Sequence, residues 1–449
     1  MLPESGKPLG RLYNRSVTRM KIGSRIAIFI LCVLQLGAVT KGAPKPYAIR
    51  AGKILTMVPA KGSDASRRVI NHGVILVSKG KIEALGPASN VTVPDGYTVI
   101  DASGRWVMPG IIESHTHIAV EGGFNDMVTT INPELEIDEC VNLEDIAAEK
   151  AVTGGVTTIH TLPGSGTNLA GFTVIVKLDC SRPEEAIVRE IGAMKIAQAY
   201  NPERRAGDLG LTRMGMAWML RQILNQAKEY TSAWQSYESG KSKDKPAYKP
   251  EMENMRKAFK GEIPAIIHSA EAWGILESIY MFHDEYQMDT IATHTSFCGY
   301  MAGEEAAKRE KVHVNIGPRL VDFRGWNAPI DGRFHGMGAE YYSRGVRNLS
   351  INTDSVGWGM QEELAFQASM AVHYGLDEII AMEAITIQPA RALGVDDRIG
   401  SLEVGKDADI VIKKGSLLDV AAAVDLVLIN GRIVYQRNGV NLVAKEKSS

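Results

Sequence analysis

The chain has 449 residues, 44 glycines and a formal net charge of −2. This length suits a large barrel with a smaller second domain better than a single small core. The nearly balanced charge gives no indication of nucleic-acid or anionic-surface binding. The four cysteines show neither a zinc-finger spacing nor a disulfide framework; they are Cys32, Cys140, Cys180 and Cys298.

The N-terminal segment predicts export. Several basic residues between Arg15 and Arg25 precede an apolar run of 14 residues, 26–39. Such a run is short for a membrane span and is typical of the apolar region of a signal peptide. We therefore expect residues 1–43 to be a leader and the protein to be periplasmic or secreted, without stable membrane insertion once the leader is removed. An uncleaved anchor is the alternative interpretation.

Both ends of the remaining chain are rich in short strand-like runs. They are separated by glycine, proline and asparagine, and they lie at 48–55, 73–77, 81–85, 97–100, 408–412, 424–429 and 432–435. Because chain ends usually lie close together, we expect a small β-sandwich domain built from segments 44–108 and 397–449.

The middle of the chain, residues 109–396, alternates between strand and helix patterns. The predicted strands lie near 110–117, 156–162, 172–178, 191–197, 263–268, 290–294, 311–315 and 349–353. The predicted helices lie near 142–153, 183–190, 211–236, 249–259, 271–286, 301–310, 337–345 and 361–374. Eight strands that are parallel by their connections favour an α/β fold with a (β/α)₈ TIM barrel. No glycine-rich phosphate loop supports a doubly wound sheet instead.

Five side chains suited to metal binding follow predicted strands of this barrel. They are His115, His117, His268, His294 and Asp354. Residues two apart on a strand share a face, so the rings of His115 and His117 point the same way. Active sites of such barrels lie at the C-terminal strand ends, so we expect the five to bind one or two divalent metal ions, with zinc the first choice. Asp354 could also accept the proton of an attacking water.

Two lysines that end strand-like runs are candidates for a sixth ligand. A lysine carboxylated by CO₂ can bridge two divalent metals through its carbamate. Counting strands puts Lys177 on the third and Lys195 on the fourth. A salt-bridging role would fit either residue as well.

Three longer motifs resemble a known family. They are VMPGIIESHTH (107–117), TIQPARALG (386–394) and IGSLEVGKDADIVI (399–412). On these motifs the chain resembles the amidohydrolase superfamily, in its imidazolonepropionase-like and prolidase-like branch, over about residues 48–436. The resemblance implies a metal-dependent hydrolase of C–N bonds and a homo-oligomer. It implies the same five ligands and favours Lys195 as the carboxylated lysine. Ala199-Tyr200 departs from the Gly-Glu of a subgroup motif, so no role of that glutamate transfers.

Several further residues are candidate substrate contacts. Arg213 could bind a substrate carboxylate through its planar guanidinium. His160 could face the pocket, and His335 and Tyr341 could gate its mouth. Glu113, two residues before His115, is expected to support the ligands rather than to bind metal.

Three functions are compatible with this pattern. The first is hydrolysis of small cyclic or peptide-like amides, with Asp354 as general base and His268 or His294 helping to polarise the carbonyl group. The second is deamination on the same scaffold, which would release ammonia. The third is a non-catalytic scaffold that has kept the fold, against which the complete set of ligands argues.

Overall fold

The computed structural model describes residues 45–58, 68–179, 181, 185–199, 201–204, 212–318, 320–322, 333–356 and 363–444. The predicted leader, Cys32, Cys180 and Tyr200 lie outside these residues. Pro44–Ser449 form one structural unit. None of the described helices is both long enough and apolar enough to cross a bilayer.

One sheet contains strands from both β-rich ends of the chain. Its strands are β1 (Tyr47–Leu55), β2 (Val69–Ser78), β3 (Lys81–Pro87), β4 (Thr98–Pro109), β17 (Ile410–Lys413), β18 (Val424–Ile429) and β19 (Arg432–Gln436). They lie in the order β19-β18-β17-β4-β1-β2-β3, and we call this the terminal sheet. Its neighbours pair antiparallel except for β1 and β4, which are parallel.

Two further sheets carry the middle of the chain. The four-stranded sheet has the order β5-β6-β8-β9, with β5 (Ile111–Thr116), β6 (Val156–Thr161), β8 (Val174–Lys177) and β9 (Ile187–Arg189). The six-stranded sheet has the order β16-β13-β12-β11-β10-β7, with β7 (Leu169–Phe172), β10 (Met194–Ala197), β11 (Ala265–Ser269), β12 (Thr290–His294), β13 (Val312–Ile316) and β16 (Leu349–Ile351). A short antiparallel pair, β14 (Val321–Asp322) and β15 (His335–Gly336), lies between β13 and β16 in the chain.

The strands of these sheets follow the predicted parallel pattern except around residues 169–189. Strands β5 and β6 are parallel, and so are β10, β11, β12, β13 and β16. The single parallel strand predicted at 172–178 is wrong, because β7 and β8 flank Thr173 and pair antiparallel with β10 and β6. The helix predicted at 183–190 is also wrong at 187–189, where β9 pairs with β8. The β-branched Ile187 and Val188 favour that edge strand.

Helices follow most of the strands. They are α1 (Ile146–Thr153), α2 (Arg213–Glu238), α3 (Pro250–Phe259), α4 (Ala272–Ser278), α5 (Gly303–Ala307), α6 (Met337–Ser343), α7 (Leu364–His373), α8 (Glu378–Glu383) and α9 (Ile387–Ala392). A π-helical turn, Ile279–Glu285, continues α4. The side chains of Asp145 and Asp377 cap α1 and α8 by accepting backbone N–H groups of the first turn. The helix predicted at 211–236 is observed as α2, which begins and ends two residues later than predicted.

Alternation along β10 assigns the two faces of the six-stranded sheet. Met194 and Ile196 pack with Leu220 and Leu224 of α2 in one buried cluster, which marks the outer face. Lys195 therefore lies on the opposite, inner face, because successive strand residues point to opposite sides.

A buried ion cluster joins β8 to the terminal sheet. The Nζ atom of Lys177 donates hydrogen bonds to Asp407 (2.7 Å) and Asp409 (3.1 Å), and to the side chain of Asn430. Lys177 is fully buried, and the two carboxylates are nearly so. A buried charge needs such compensation, so this cluster fixes where the terminal sheet attaches.

The buried His313 of β13 predicts acid sensitivity of the fold. Burial lowers the pKa of His313 from 6.5 to about 3, while its Nε2 bonds to Ser350 at 3.0 Å. Between those pH values the unfolded chain binds a proton that the native protein does not. The free energy of unfolding therefore falls as pH decreases, by about 2 kcal/mol from this group between pH 7 and 5.

His313→Gln should remove this contribution while keeping an amide near Ser350. Thermal melts of the metal-free protein at pH 7 and 5 should show a smaller loss of Tm in the variant. Substitution of the exposed His72 by Gln is the control and should leave the loss unchanged. An equal loss in His313→Gln and the unsubstituted protein would contradict this assignment.

Candidate metal centre

Three histidine rings and a carboxylate converge at the C-terminal ends of β5, β12 and β16. The rings of His115 and His294 are 4.6 Å apart and those of His115 and His117 are 5.4 Å apart, between centroids. Oδ1 of Asp354 lies 3.4 Å from Nε2 of both His115 and His117, and its Oδ2 lies 3.9 Å from Nδ1 of His294. One ligand atom from each of His115, His117 and Asp354 fits within a span of 4.8 Å.

The fourth predicted histidine, His268, joins the same cluster. It lies on β11, and the parallel register places it opposite Thr293 of β12, one residue before His294. The His268 and His294 ring centroids are 4.4 Å apart. The structure thus brings all five predicted ligands together, and their binding of metal remains our proposal.

Backbone carbonyls orient two of the rings. Nδ1 of His117 lies 2.8 Å from the Leu162 carbonyl oxygen, and Nδ1 of His294 lies 3.1 Å from that of Gly317. Because a carbonyl only accepts, each Nδ1 carries a proton, which leaves Nε2 as the atom that can bind a metal. The third ring, His115, is held at Nδ1 by the Thr293 hydroxyl at 2.8 Å.

The donor atoms fit a bound cation. Nε2 of His115 and of His294 is buried and has no hydrogen-bond partner among the described residues. Buried polar atoms are rarely left unpaired, and imidazole nitrogens and carboxylate oxygens are among the ligands that zinc binds.

The electrostatics keep these donors in the protonation state that a cation needs. Burial lowers the pKa of His115 well below its usual value, with a further contribution from Lys195. Burial and Lys195 also lower the pKa of His294, against the opposing charge of Asp354. Burial alone would raise the pKa of Asp354, but His294, His117 and Lys195 together hold it below its usual value. At neutral pH the two histidines are neutral and the carboxylate is charged.

The backbone at the site is strained. His294 and Asp354 have φ angles of 68° and 50°, in the left-handed region that non-glycine residues rarely adopt. Gly317, whose carbonyl holds His294, has φ of 135°, and a Cβ there would overlap the carbonyl oxygen of Asn352. Such strain persists only where the surroundings enforce it, and it concentrates at functional sites.

Glu113 ties the strand that carries two histidines to the loop that carries Asp354. It accepts hydrogen bonds from the His115 N–H (3.0 Å) and from Thr353 through both its N–H (3.0 Å) and its hydroxyl (2.7 Å). Burial raises its pKa to about 8. Because both oxygens of Glu113 accept from these groups, the carboxyl group supports the site instead of binding the cation.

The two candidate lysines have different surroundings. Lys195 is fully buried on the inner face, and its Nζ has no hydrogen-bond partner among the described residues. Burial lowers its pKa to about 7, so a large fraction of the amine is neutral near physiological pH. Lys177 is already bound by Asp407 and Asp409 and is not available to a metal site.

The candidate substrate contacts all have protein partners. His160 is buried, with Nδ1 3.0 Å from the Ser114 carbonyl and Nε2 2.6 Å from the Thr173 hydroxyl. Arg213 donates to Glu203 and Glu271. His335 bonds to Glu340 at 2.7 Å and stacks on a tyrosine ring. Tyr341 is buried and donates to the Thr295 carbonyl, which indicates packing and not a gate.

Sequence reasoning missed several residues that hold the ligands in place. Thr293 and Thr353 each immediately precede a predicted ligand, a position that could have drawn attention to their hydroxyl groups. The ring of Phe124 stacks on His117 with centroids 4.7 Å apart. No local pattern marks Phe124, since it lies in a long loop after β5.

Comparison with known proteins finds amidohydrolases that resemble this chain. Residues 339–434 match the model of the amidohydrolase family. A crystal structure of an amidohydrolase from Thermotoga maritima has a TM-score of 0.75 and 27% identity, and the match covers 87% of this chain and 100% of that one. Structural neighbours of this kind imply a TIM barrel with a β-sandwich.

The curated relatives include hydrolases and deaminases. Amidohydrolase tasK of Hapsidospora irregularis is 25% identical over 87% of this chain, which spans only 43% of that relative's length. An imidazolonepropionase of Thermoplasma acidophilum is 23% identical over 83% of this chain and 92% of its own. A 5-methylthioadenosine/S-adenosylhomocysteine deaminase of Symbiobacterium thermophilum is 23% identical over 85% of this chain and 92% of its own. The protein is therefore an enzyme, and the non-catalytic scaffold is set aside.

The contrast between the two buried lysines generates a paired prediction. Lys195→Met removes the amine that could carry a metal-bridging carbamate, so metal content per chain should fall. Because that amine has no hydrogen-bond partner among the described residues, thermal stability of the metal-free protein should change little. Lys177→Met leaves two buried carboxylates less compensated and should cost about 3–5 kcal/mol of stability with metal content unchanged. Elemental analysis and thermal melts of both variants, purified with bicarbonate and without chelator, check this. Indistinguishable variants would contradict it.

The hydrogen bond that orients His115 generates a second prediction. Thr293→Val keeps the shape of the side chain but removes the Nδ1 partner, so metal affinity should fall by about 10–100-fold. Competition with a chelator measures this. Thr290→Val on the same strand is the matched control, since that hydroxyl bonds to the Met288 carbonyl away from the site. Unchanged affinity in Thr293→Val would show that the bond does not position His115.

Proposed function

Because this chain belongs to the amidohydrolase superfamily, in the branch that contains the imidazolonepropionase-like and prolidase-like enzymes, we propose that it hydrolyses C–N bonds of small cyclic or peptide-like amides. The observation that carries the proposal is the convergence of neutral imidazoles on the ionised Asp354. We further propose that the strands of the two central sheets form the (β/α)₈ barrel that surrounds this site.

The residues that would hold the cation are His115, His117, His268, His294 and Asp354, with zinc the proposed metal. When bound, a divalent cation supplies Lewis acidity, which makes water a stronger acid and polarises a carbonyl group. We also propose that Lys195 is carboxylated. Its neutral amine is the form that reacts with CO₂, and a carbamate on this side chain would allow two metal ions instead of one.

Asp354 is the proposed general base. In the reaction the oxygen of a water molecule bonds to the carbonyl carbon, the C–N bond breaks, and a proton from the water ends on the leaving nitrogen. Asp354 is ionised at neutral pH and can accept that proton and pass it to the nitrogen. His294 lies beside it, with Nδ1 3.9 Å from Oδ2, and the ring of His268 lies 4.4 Å from that of His294 between centroids. We propose that one of these two histidines helps to polarise the carbonyl group.

Deamination is the second candidate, and the deaminase among the relatives favours it. The same residues would direct water to a ring carbon that bears an amino group, and the leaving group would be ammonia. A substrate screen with an ammonia readout beside a readout for new carboxylate groups separates the two. Carboxylate without ammonia supports amide hydrolysis.

Two further properties are proposals from the sequence and the family resemblance. Export rests on the basic and apolar pattern of residues 15–39. A homo-oligomer acting on a small-molecule substrate rests on the resemblance to the superfamily.

The proposed role of Asp354 leads to a direct test. Asp354→Asn removes the base but keeps a ligand oxygen, so we expect metal to be largely retained and kcat to fall by about 10²–10⁴-fold. Steady-state kinetics beside elemental analysis measures both. Asp396→Asn is a matched control, because that carboxylate is 46% exposed and pairs only weakly with Arg391 at 3.9 Å. Near-normal kcat in Asp354→Asn would refute the assignment.

A further inference from the structure

A buried amide next to the candidate metal centre has no assigned task. Asn168 is 0% exposed, and neither Nδ2 nor Oδ1 of its side chain has a hydrogen-bond partner among the described residues. A carboxamide offers two donors and an acceptor, and burying all of them unpaired is costly. An unsatisfied group of this kind in a folded protein calls for an explanation.

The backbone of Asn168 is held against β10. Its carbonyl oxygen accepts the Ala197 N–H at 2.9 Å, and the next residue, Leu169, pairs with Ile196. Leu169 and Ile196 both pack into the outer cluster with α2. Asn168 is the residue just before β7, and continuing the alternation of β7 by one residue turns its side chain away from the α2 cluster, to the face that also carries Lys195 and Ala197. Ala197 pairs in register with His268 of β11, which brings this edge beside the histidines.

The segment behind Asn168 is held tightly by the loop that follows β5. The Gly164 N–H donates to the Phe124 carbonyl at 2.6 Å, and the Gly166 N–H donates to the Asn125 side chain at 3.0 Å. A Cβ at either glycine would overlap Asn125. Phe124 in turn stacks on His117. Asn168 is thus fixed from behind by the same loop that packs against a predicted ligand, which is the support a substrate contact requires.

We propose that Asn168 binds the substrate and selects ring amides over the trans secondary amides of linear peptides. A carboxamide presents its N–H and its C=O side by side, so it pairs through two parallel hydrogen bonds with a group that does the same. In a small ring the amide is cis, and its N–H and C=O lie on one edge. In a linear peptide the amide is trans, and the two groups point in opposite directions. The inference rests on the proposed amide hydrolysis and narrows its substrate class to cyclic amides with a free N–H.

The test compares two probes on the metal-loaded full chain. Hydantoin offers cis amide edges, and 1,3-dimethylhydantoin lacks every N–H. We expect the unsubstituted protein to prefer hydantoin at least tenfold, both in kcat/KM and in Kd measured by calorimetry, since a site built to hydrogen-bond a group rejects the analogue without it. In Asn168→Leu the preference should fall towards one, with metal content unchanged.

Two more variants separate substrate binding from folding. If the leucine variant does not fold, Asn168→Asp takes its place in the test. It keeps the shape of the side chain but loses the hydrogen-bond donor, so it should also lose most of the preference for hydantoin. Thr167→Val is the control, because the Thr167 hydroxyl already has a protein partner, the side chain of Asn132. This variant should keep the preference for hydantoin.

The outcomes distinguish the inference from the proposed function. A preference for hydantoin that survives in the Asn168 variants, with only Tm lowered, would make Asn168 structural and overturn the inference. Hydrolysis of linear dipeptides without binding of hydantoin would overturn the inference and leave amide hydrolysis standing. Release of ammonia with no hydrolysis of any amide would overturn both.

Discussion

The constraint on which this structure depends is the burial of several unpaired polar atoms around the candidate metal centre. Nε2 of His115 and of His294 and Nζ of Lys195 are all shielded from water without hydrogen-bond partners among the described residues. Asp354 is the anion beside the two histidines, with its carboxylate oxygens 3.4 Å from Nε2 of His115 and 3.9 Å from Nδ1 of His294. Such an arrangement is unfavourable by itself, because these polar atoms lose their hydrogen bonds to water and gain none within the protein. A cation would give the imidazoles a partner, which is why the metal proposal accounts for more of the local structure than any single contact.

The surrounding residues hold this arrangement against its own strain. Glu113 links β5 to the loop with Asp354, the carbonyls of Leu162 and Gly317 fix two rings, and Thr293 fixes a third. The left-handed backbone at His294 and Asp354 persists because these contacts define it. The two buried lysines have different roles because their surroundings differ. The charge of Lys177 is compensated by two carboxylates, whereas Nζ of Lys195 has no hydrogen-bond partner among the described residues.

Parts of the fold and site that rest on local patterns could be predicted from the sequence. The spacing of His115 and His117 and the polar residues after apolar runs indicated which side chains would meet, because parallel strands place their ends together. The pairing of residues 169–189 could not be predicted, since short apolar runs suit parallel and antiparallel strands equally. The helix pattern at 183–190 was also misleading, because Ile187 pairs instead in an edge strand. Thr293, Phe124 and Asn168 were missed for a related reason: their roles depend on which loop packs on which strand, and that information is not local.

The central claim is that imidazole and carboxylate groups of this chain bind a divalent cation, and X-ray absorption at the zinc edge of the zinc-loaded full chain tests it most directly. The account predicts a first shell of nitrogen and oxygen at about 2.0–2.2 Å with the multiple scattering of several imidazoles. A shell of sulfur near about 2.3 Å, or one without imidazole scattering, would contradict it.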